Sequence, residues 1–338
     1  MMRKGKEMSR KAIGIDLGGT FIKAGVVDDA GRVLSKVSIP TEAQRGRKVI
    51  IANIARAADE ARAMASLDWS RISAIGLGSP GVFKPPEGIV YHCANLPDLQ
   101  GKPLARPVAE ALGVRHIPVA LDNDANVAAF AEAWVGAGRG CRTLVLFTLG
   151  TGIGGGIVLN GEVWRGAWGT AGELGHQIIH PDEPDHGSGT AGSLEDFASA
   201  TALVRRFREA VMAGRRSRLA ARLRCGEPVT ARDIALAARA GDATCRRLIE
   251  ETGRYLGIGV TNMLHILNVE LVVFAGGMTA AGTMLLKPIR EEVRRRAFPL
   301  ARRGVRILFS RLGNDAGLIG AAGFALNVGR TTPRQGGR

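Results

Sequence analysis

The chain has 338 residues, 46% hydrophobic and 23% charged, with a formal net charge of +15. That length suits two domains, each able to bury its own core, and the composition is that of an ordinary globular protein, not a disordered or fibrous one. No apolar stretch reaches the ~18–20 residues of a membrane span, and Met1 to Lys11 lacks the apolar core of a secretion signal, so a cytoplasmic protein is expected.

Residues 1–10 read as a polar tail. Strand patterns follow at Ala12–Leu17, Ile22–Val27 and Val33–Ile39. Arg47 to Ser66 has the 3.6-residue apolar spacing of a helix. Ile72 to Leu77 reads as a buried strand running into Ser79-Pro80-Gly81. A helix over Leu104–Leu112 and a short strand over Val119–Leu121 come next. From Asn123 a second unit opens, with a helix over Asp124–Val135, a strand over Leu144–Thr148 and a glycine-rich turn. Helices are predicted over Ser193–Val211, Thr230–Ala240 and Cys245–Leu267, the first opening on Ser193-Leu194-Glu195-Asp196, which has the form of a capping box. A strand over Val269–Phe274 ends in Gly276-Gly277, and a last helix spans Asp315–Leu326. Strands alternating with helices predict an α/β layered fold. The expected division is residues 11–122 with 313–330 in a smaller lobe and 123–312 in a larger one, with tails at 1–10 and 331–338.

Two glycine turns echo each other. Gly14-Ile15-Asp16-Leu17-Gly18-Gly19-Thr20-Phe21-Ile22-Lys23 and Phe147-Thr148-Leu149-Gly150-Thr151-Gly152-Ile153-Gly154-Gly155-Gly156 each read as strand, tight turn, strand. Glycine lets backbone N–H groups approach a phosphate chain closely. Two stretches fit G-x-G-x-x-G, at Gly76–Gly81 and Gly150–Gly155. Neither runs from a strand into a helix, so neither is a dinucleotide fingerprint, and no G-x-x-x-x-G-K-[ST] loop exists. The paired hairpins instead resemble the two-lobed actin-like ATPase (ribonuclease H-like) fold, whose related lobes each present a β-hairpin to a nucleotide.

Two polar clusters accompany the turns. Asn123-Asp124-Ala125-Asn126 stands at a strand-to-helix junction, where a side chain either caps the helix or faces a substrate hydroxyl as base. Gly172-Glu173-Leu174-Gly175-His176, with Glu195 further on, supplies donors and acceptors suited to a polyol. Taken with Gly78-Ser79-Pro80-Gly81 and Ala275-Gly276-Gly277, these stretches resemble the ROK family of sugar kinases and repressors over residues 12–326, its glucokinases in particular.

The resemblance implies ATP-dependent phosphorylation of the 6-hydroxyl of glucose, with Asp124 as catalytic base. It implies that Asn123, Glu173, His176 and Glu195 hold the hexose, with Asn95 and Ser79, Pro80 and Gly81 closing on it. Gly18, Gly19, Thr20, Lys23, Thr151 and Gly152 would line the phosphates, Gly276 and Gly277 the adenosine. Asp16 would assist Mg²⁺ through water, and the assembly would be a homodimer. One departure matters. The family's zinc site uses a His and three cysteines, and here the matching stretch is His186-Gly187-Ser188-Gly189-Thr190-Ala191-Gly192-Ser193-Leu194-Glu195. All three thiolates are missing, which argues against zinc despite His176, His180 and His186. The loop carrying Glu195 is then expected to be fixed by packing and by the Ser193 cap.

Three alternatives differ from this reading. Another hexose or an N-acetylhexosamine differs from glucose by a few hydrogen bonds. Polyphosphate in place of ATP would suit the positive charge. A sugar-responsive repressor needs a DNA-reading module, for which the residues before the first strand are too few. The arginine-rich stretches Arg205–Arg224 and Arg290–Arg306 carry no interleaved aromatics, so they read as a solvated basic face and no nucleic-acid partner is expected.

Overall fold

The computed structural model describes residues 9–84, 88–93 and 96–328. In chain order it contains β1 (Lys11–Leu17), β2 (Phe21–Asp28), β3 (Val33–Pro40), α1 (Arg47–Met64), β4 (Ala74–Ser79), β5 (Val82–Lys84), β6 (Ile89–His92), α2 (Ala105–Ala111), β7 (Val119–Asn123) and α3 (Asp124–Trp134). There follow β8 (Leu144–Leu149), β9 (Ile153–Leu159), β10 (Glu162–Val163), α4 (Leu194–Ala198), α5 (Ala200–Met212), α6 (Ala220–Arg224), α7 (Ala231–Arg239) and α8 (Ala243–Leu267). The chain closes with β11 (Leu271–Ala275), α9 (Thr283–Arg296), β12 (Arg306–Phe309) and α10 (Ala316–Val328). No helix among the described residues is long and apolar enough to cross a membrane.

Two compact units result. One comprises Met1–Gly140, Gly161–Ala171 and Asn314–Arg338, the other Cys141–Asn160 and Gly172–Gly313. The sequence reading divides the chain near residue 122, whereas here α3 stays with the first unit. The reason is packing on α10: Val127 O lies 1.8 Å from where a Cβ on Gly320 would stand, so the two backbones touch.

The first unit is built on a sheet in the order β3-β2-β1-β4-β7. β1 pairs antiparallel with β2 and parallel with β4, and β4 pairs parallel with β7. Ala12 to Ile15 and all of β4 are buried without alternation, as expected of strands covered on both faces. Gly14 and Gly76 let α10 lie directly on the sheet, because a Cβ at either would come within 1.8 Å of a carbonyl oxygen of that helix. The second unit repeats the arrangement in the run β9-β8-β11-β12, antiparallel then parallel. Its core centres on Phe147 and Phe274, stacked with centroids 5.2 Å apart.

Three local features differ from the sequence pattern. The helix predicted over 193–211 is two helices, because Ser199 has extended backbone and its Oγ accepts from Ala202 N to start a new one. The expected capping box at Ser193 is half formed: Ser193 Oγ accepts from Asp196 N, but the Asp196 carboxylate turns elsewhere. α9 goes unread in the sequence because Pro288 interrupts its pattern; that proline packs on Gly253 of α8.

Candidate active site

In the first unit, Asp16 lies opposite Gly78, and Ser79 opposite Asn123, in adjacent parallel strands. The carboxyl ends of β1, β4 and β7 therefore bring Asp16, Ser79 and Asn123 to one sheet edge, where open α/β sheets place ligands. The β1–β2 turn holds Gly18, Gly19 and Thr20. Gly18 N donates to Phe21 O at 2.9 Å, and Thr41 Oγ1 donates to Gly18 O at 2.7 Å. Lys23 Nζ stands 3.8 Å from Asp16 Oδ2. Gly317, at the start of α10, leaves room for that carboxylate: a Cβ there would be 2.7 Å from Asp16 Cγ. Burial pushes the Asp16 carboxyl above its ordinary range, with Lys23 pulling the other way. A carboxylate enclosed this far with one long ion pair is suited to a further cation. The donor set fits magnesium, which takes one or two carboxylates and completes its shell with phosphate oxygens and water.

Asn123 caps α3. Its Oδ1 accepts from Ala125 N at 2.8 Å and Asn126 N at 3.2 Å, and its Nδ2 donates to Gly81 O at 3.0 Å. One amide thus ties the Ser79-Pro80-Gly81 loop to the helix start, and Asn123 takes the capping role that the sequence left open between it and Asp124. Asp124, half-buried, opens the helix. Beneath it lies a pair that the sequence reading missed. Buried Asp122 accepts from Asn123 N at 2.8 Å, Asn126 Nδ2 at 3.0 Å and Arg165 Nε at 2.8 Å. The Arg165 guanidinium also stacks 5.0 Å over the Phe324 ring.

In the second unit, the β8–β9 turn holds Gly150, Thr151 and Gly152. The start of α5 backs it: Ala200 N donates to Gly150 O at 2.9 Å and Thr201 Oγ1 to Thr151 O at 2.8 Å. Glu195 Oε2 accepts from Ile153 N at 2.6 Å and stands 2.4 Å from where a Cβ on Gly152 would be. Gly276, at φ 95°, approaches the same turn so closely that a Cβ would be 2.3 Å from Leu149 O. Thr151, Gly152, Glu195, Gly276 and Gly277 are thereby brought together. A cavity of about 560 Å³ opens beside them, lined by Gly150, Thr151, Thr230, Arg232, Gly277 and Met278 with apolar neighbours. Its size and largely apolar wall suit a nucleoside. Nothing in the sequence marks the α7 contribution to this wall, because it comes from a separate helix.

Glu173 and His176 are exposed on a segment seated on β9, where Leu174 packs against Gly155. His176 Nδ1 lies 2.9 Å from Thr190 Oγ1. At two of the three positions matching the family's cysteines, Ser188 Oγ and Ser193 Oγ are 2.8 Å apart, and the third is His186. Neutral hydroxyls bonded to each other do not fit zinc, which takes thiolate, imidazole or carboxylate ligands. Among the described residues no group of three or more His, Cys, Asp or Glu is placed to hold a metal. Asn95 lies outside the described residues.

Comparison with known proteins places this constellation in context. Residues 12–328 match the ROK family. A glucokinase of Halalkalibacterium halodurans is 39% identical over 309 residues, spanning 91% of this chain and 92% of that protein. A glucokinase of Thermotoga maritima is 37% identical, spanning 92% of this chain and 96% of its own length. Among solved structures, a ROK family glucokinase from Streptomyces griseus in complex with glucose and AMPPNP superposes with a TM-score of 0.77 at 34% identity, covering 94% of this chain and 99% of that one.

Proposed function

Because the chain belongs to the ROK family, we propose that it is an ATP-dependent glucose kinase that phosphorylates the 6-hydroxyl with Asp124 as base. The observation that carries this reading is the match to glucokinases at 35–39% identity over more than nine-tenths of the chain. The site geometry supports it from within. Asp124 opens α3 at the sheet edge that also presents Asp16 and the Ser79–Gly81 loop, and the second glycine turn adjoins a nucleoside-sized cavity.

Phosphoryl transfer passes through a loose transition state, so positioning and charge neutralisation dominate. Asp124 would orient the sugar hydroxyl and accept its proton as the bond to phosphorus forms. Lys23 and the backbone of Gly18 to Thr20 and of Thr151 and Gly152 would neutralise phosphate charge. Mg²⁺, when bound, supplies further neutralisation, and Asp16 would hold it through water. Ser79, Pro80, Gly81, Asn123, Glu173, His176 and Glu195 are assigned to the hexose, and Gly276 and Gly277 to the adenosine. Asn123 Oδ1 is committed to the α3 cap and one Nδ2 hydrogen to Gly81 O, so the second Nδ2 hydrogen is the group left for sugar. A cytoplasmic homodimer is the assembly we assign.

ADP release measured across a panel of hexoses and N-acetylhexosamines tests the reading, with polyphosphate substituted for ATP in a parallel arm. Glucose with ATP should give the highest kcat/KM. Release of no ADP with any hexose would overturn the function, and faster turnover of another sugar would reassign the substrate.

A further inference from the structure

The loop between His176 and Glu195 closes on an unusual object. Ser193 is fully buried and Asp196 is 5% exposed. Asp196 Oδ2 accepts from Ser188 Oγ at 3.2 Å and from His186 N at 3.0 Å. Ser188 Oγ lies 2.8 Å from Ser193 Oγ and accepts from Thr190 N at 3.2 Å. Ser193 Oγ in turn accepts from Asp196 N at 3.2 Å. Ser188, Ser193 and Asp196 therefore close a ring of hydrogen bonds, through two side-chain links and the Asp196 backbone N–H, at the foot of α4, the helix that carries Glu195. The ring reaches the other sugar-facing segment twice: Thr190 Oγ1 meets His176 Nδ1 at 2.9 Å, and Leu194 N donates to Gln177 O at 2.7 Å.

We propose that Asp196, Ser188 and Ser193 form a metal-independent positioning device that fixes Glu195 and His176 for the sugar. Glu195 and His176 come from segments joined by a long exposed loop, and without a clasp each would carry that loop's freedom. Around a buried carboxylate, with little water to compete, hydrogen bonds polarise one another and hold a single arrangement. Two of the three hydroxyl and carboxylate groups occupy positions where the family pattern places thiolates, so the same mechanical task is performed with neutral donors and one carboxylate. None of the three touches substrate in this account. They act through Glu195 and His176. The kinetic part of the argument rests on the sugar-kinase reading, whereas the structural part does not.

The test has two arms. Hydrogen–deuterium exchange is followed over residues 174–198 in the wild type, before and after treatment with a zinc chelator, and in Ser188→Ala and Asp196→Ala. The wild type should be unaffected by the chelator, and the two variants should exchange at least about tenfold faster in this segment, the effect of losing one buried hydrogen bond. Steady-state kinetics, with Mg²⁺ restored, should show sugar KM raised about tenfold in both variants, with kcat and ATP KM within about twofold. Asp196→Asn, which keeps one acceptor oxygen, should fall between Asp196→Ala and the wild type. A general loss of stability would not split sugar KM from ATP KM in this way. Chelator-accelerated exchange in the wild type would overturn the proposal in favour of a bound metal. Unchanged exchange and sugar KM in the variants would overturn it outright. If the wild type turns over no sugar, the kinase reading fails, and the exchange arm still decides the clasp.

Discussion

The two glycine turns echo each other in layout and sit at the same point of the same strand order, yet the residues around them differ in kind. The turn after β1 is flanked by side-chain charge: Asp16 and Lys23 face each other at 3.8 Å, and Thr41 braces the loop from β3. The turn after β8 has no lysine. Its support is backbone and helix: the capped start of α5 donates to Gly150 O, and Glu195 accepts from Ile153 N. A helix start carries partial positive charge and so favours an anion without a cationic side chain. The same kind of turn is thus supported in two ways, by side-chain charge in the first unit and by backbone donors beside a nucleoside-sized cavity in the second.

This contrast can be broken at several points. The largest effect is expected at Asp124, which stands at the charged edge. Asp124→Ala should lower kcat by about 10²–10⁴-fold, the usual weight of a general base, while calorimetry still detects sugar binding. Near-normal turnover would move the chemistry away from the first unit. Next comes Gly152→Ala, whose new Cβ would meet the Glu195 carboxylate at 2.4 Å. Displacing that carboxylate should cost sugar kcat/KM about 10–100-fold, and the added methyl in the turn itself should lower kcat/KM for ATP as well, since misplacement by an ångström has that scale. An effect confined to ATP would separate Glu195 from the turn.

Arg165→Ala sharpens the contrast more gently. It strips Asp122 of its guanidinium and leaves a buried carboxylate at the start of α3. Stability measured by denaturant should fall by about 1–3 kcal/mol, discounted because Arg165 is partly exposed, and kcat should fall about tenfold as Asn123 and Asp124 lose their footing. Full kcat with lowered stability would make the pair purely structural.

The smallest effect is thermal. Since burial raises the Asp16 carboxyl in the folded state, its contribution to stability is present below the ordinary aspartate range and is lost as pH rises past the raised value. Asp16→Asn should therefore melt higher than the wild type at neutral pH, with the gain fading on acidification. The same variant should be catalytically impaired. A lower melting point at neutral pH would show that Asp16 is stabilised as an anion without any added cation.

Much of this was legible in the chain because it is local. Apolar runs broken by glycine announced β1, β2 and β8 to within one residue, and Asn123-Asp124 announced a strand-to-helix junction; β9 starts earlier than its apolar run, because Gly154 to Gly156 carry no strand signal. What escaped depends on residues that meet only after folding. Asp122 and Arg165 are 43 positions apart and neither is unusual alone. The ring around Asp196 looked like a capping box, since spacing cannot say where a carboxylate turns. Ser199 broke a helix whose apolar period runs straight through it, because α5 begins where Ala200 N can reach Gly150 O. The division of units followed α3 onto α10 through Gly320, a contact that no local pattern encodes.

Phosphorus NMR on the wild type and Asp124→Ala, each with glucose, ATP and Mg²⁺, tests the central claim most directly. The account predicts a growing glucose 6-phosphate resonance as the γ-phosphate signal declines, and almost none in the variant. Inorganic phosphate as the sole product, or equal rates of sugar phosphate formation in both proteins, would contradict it.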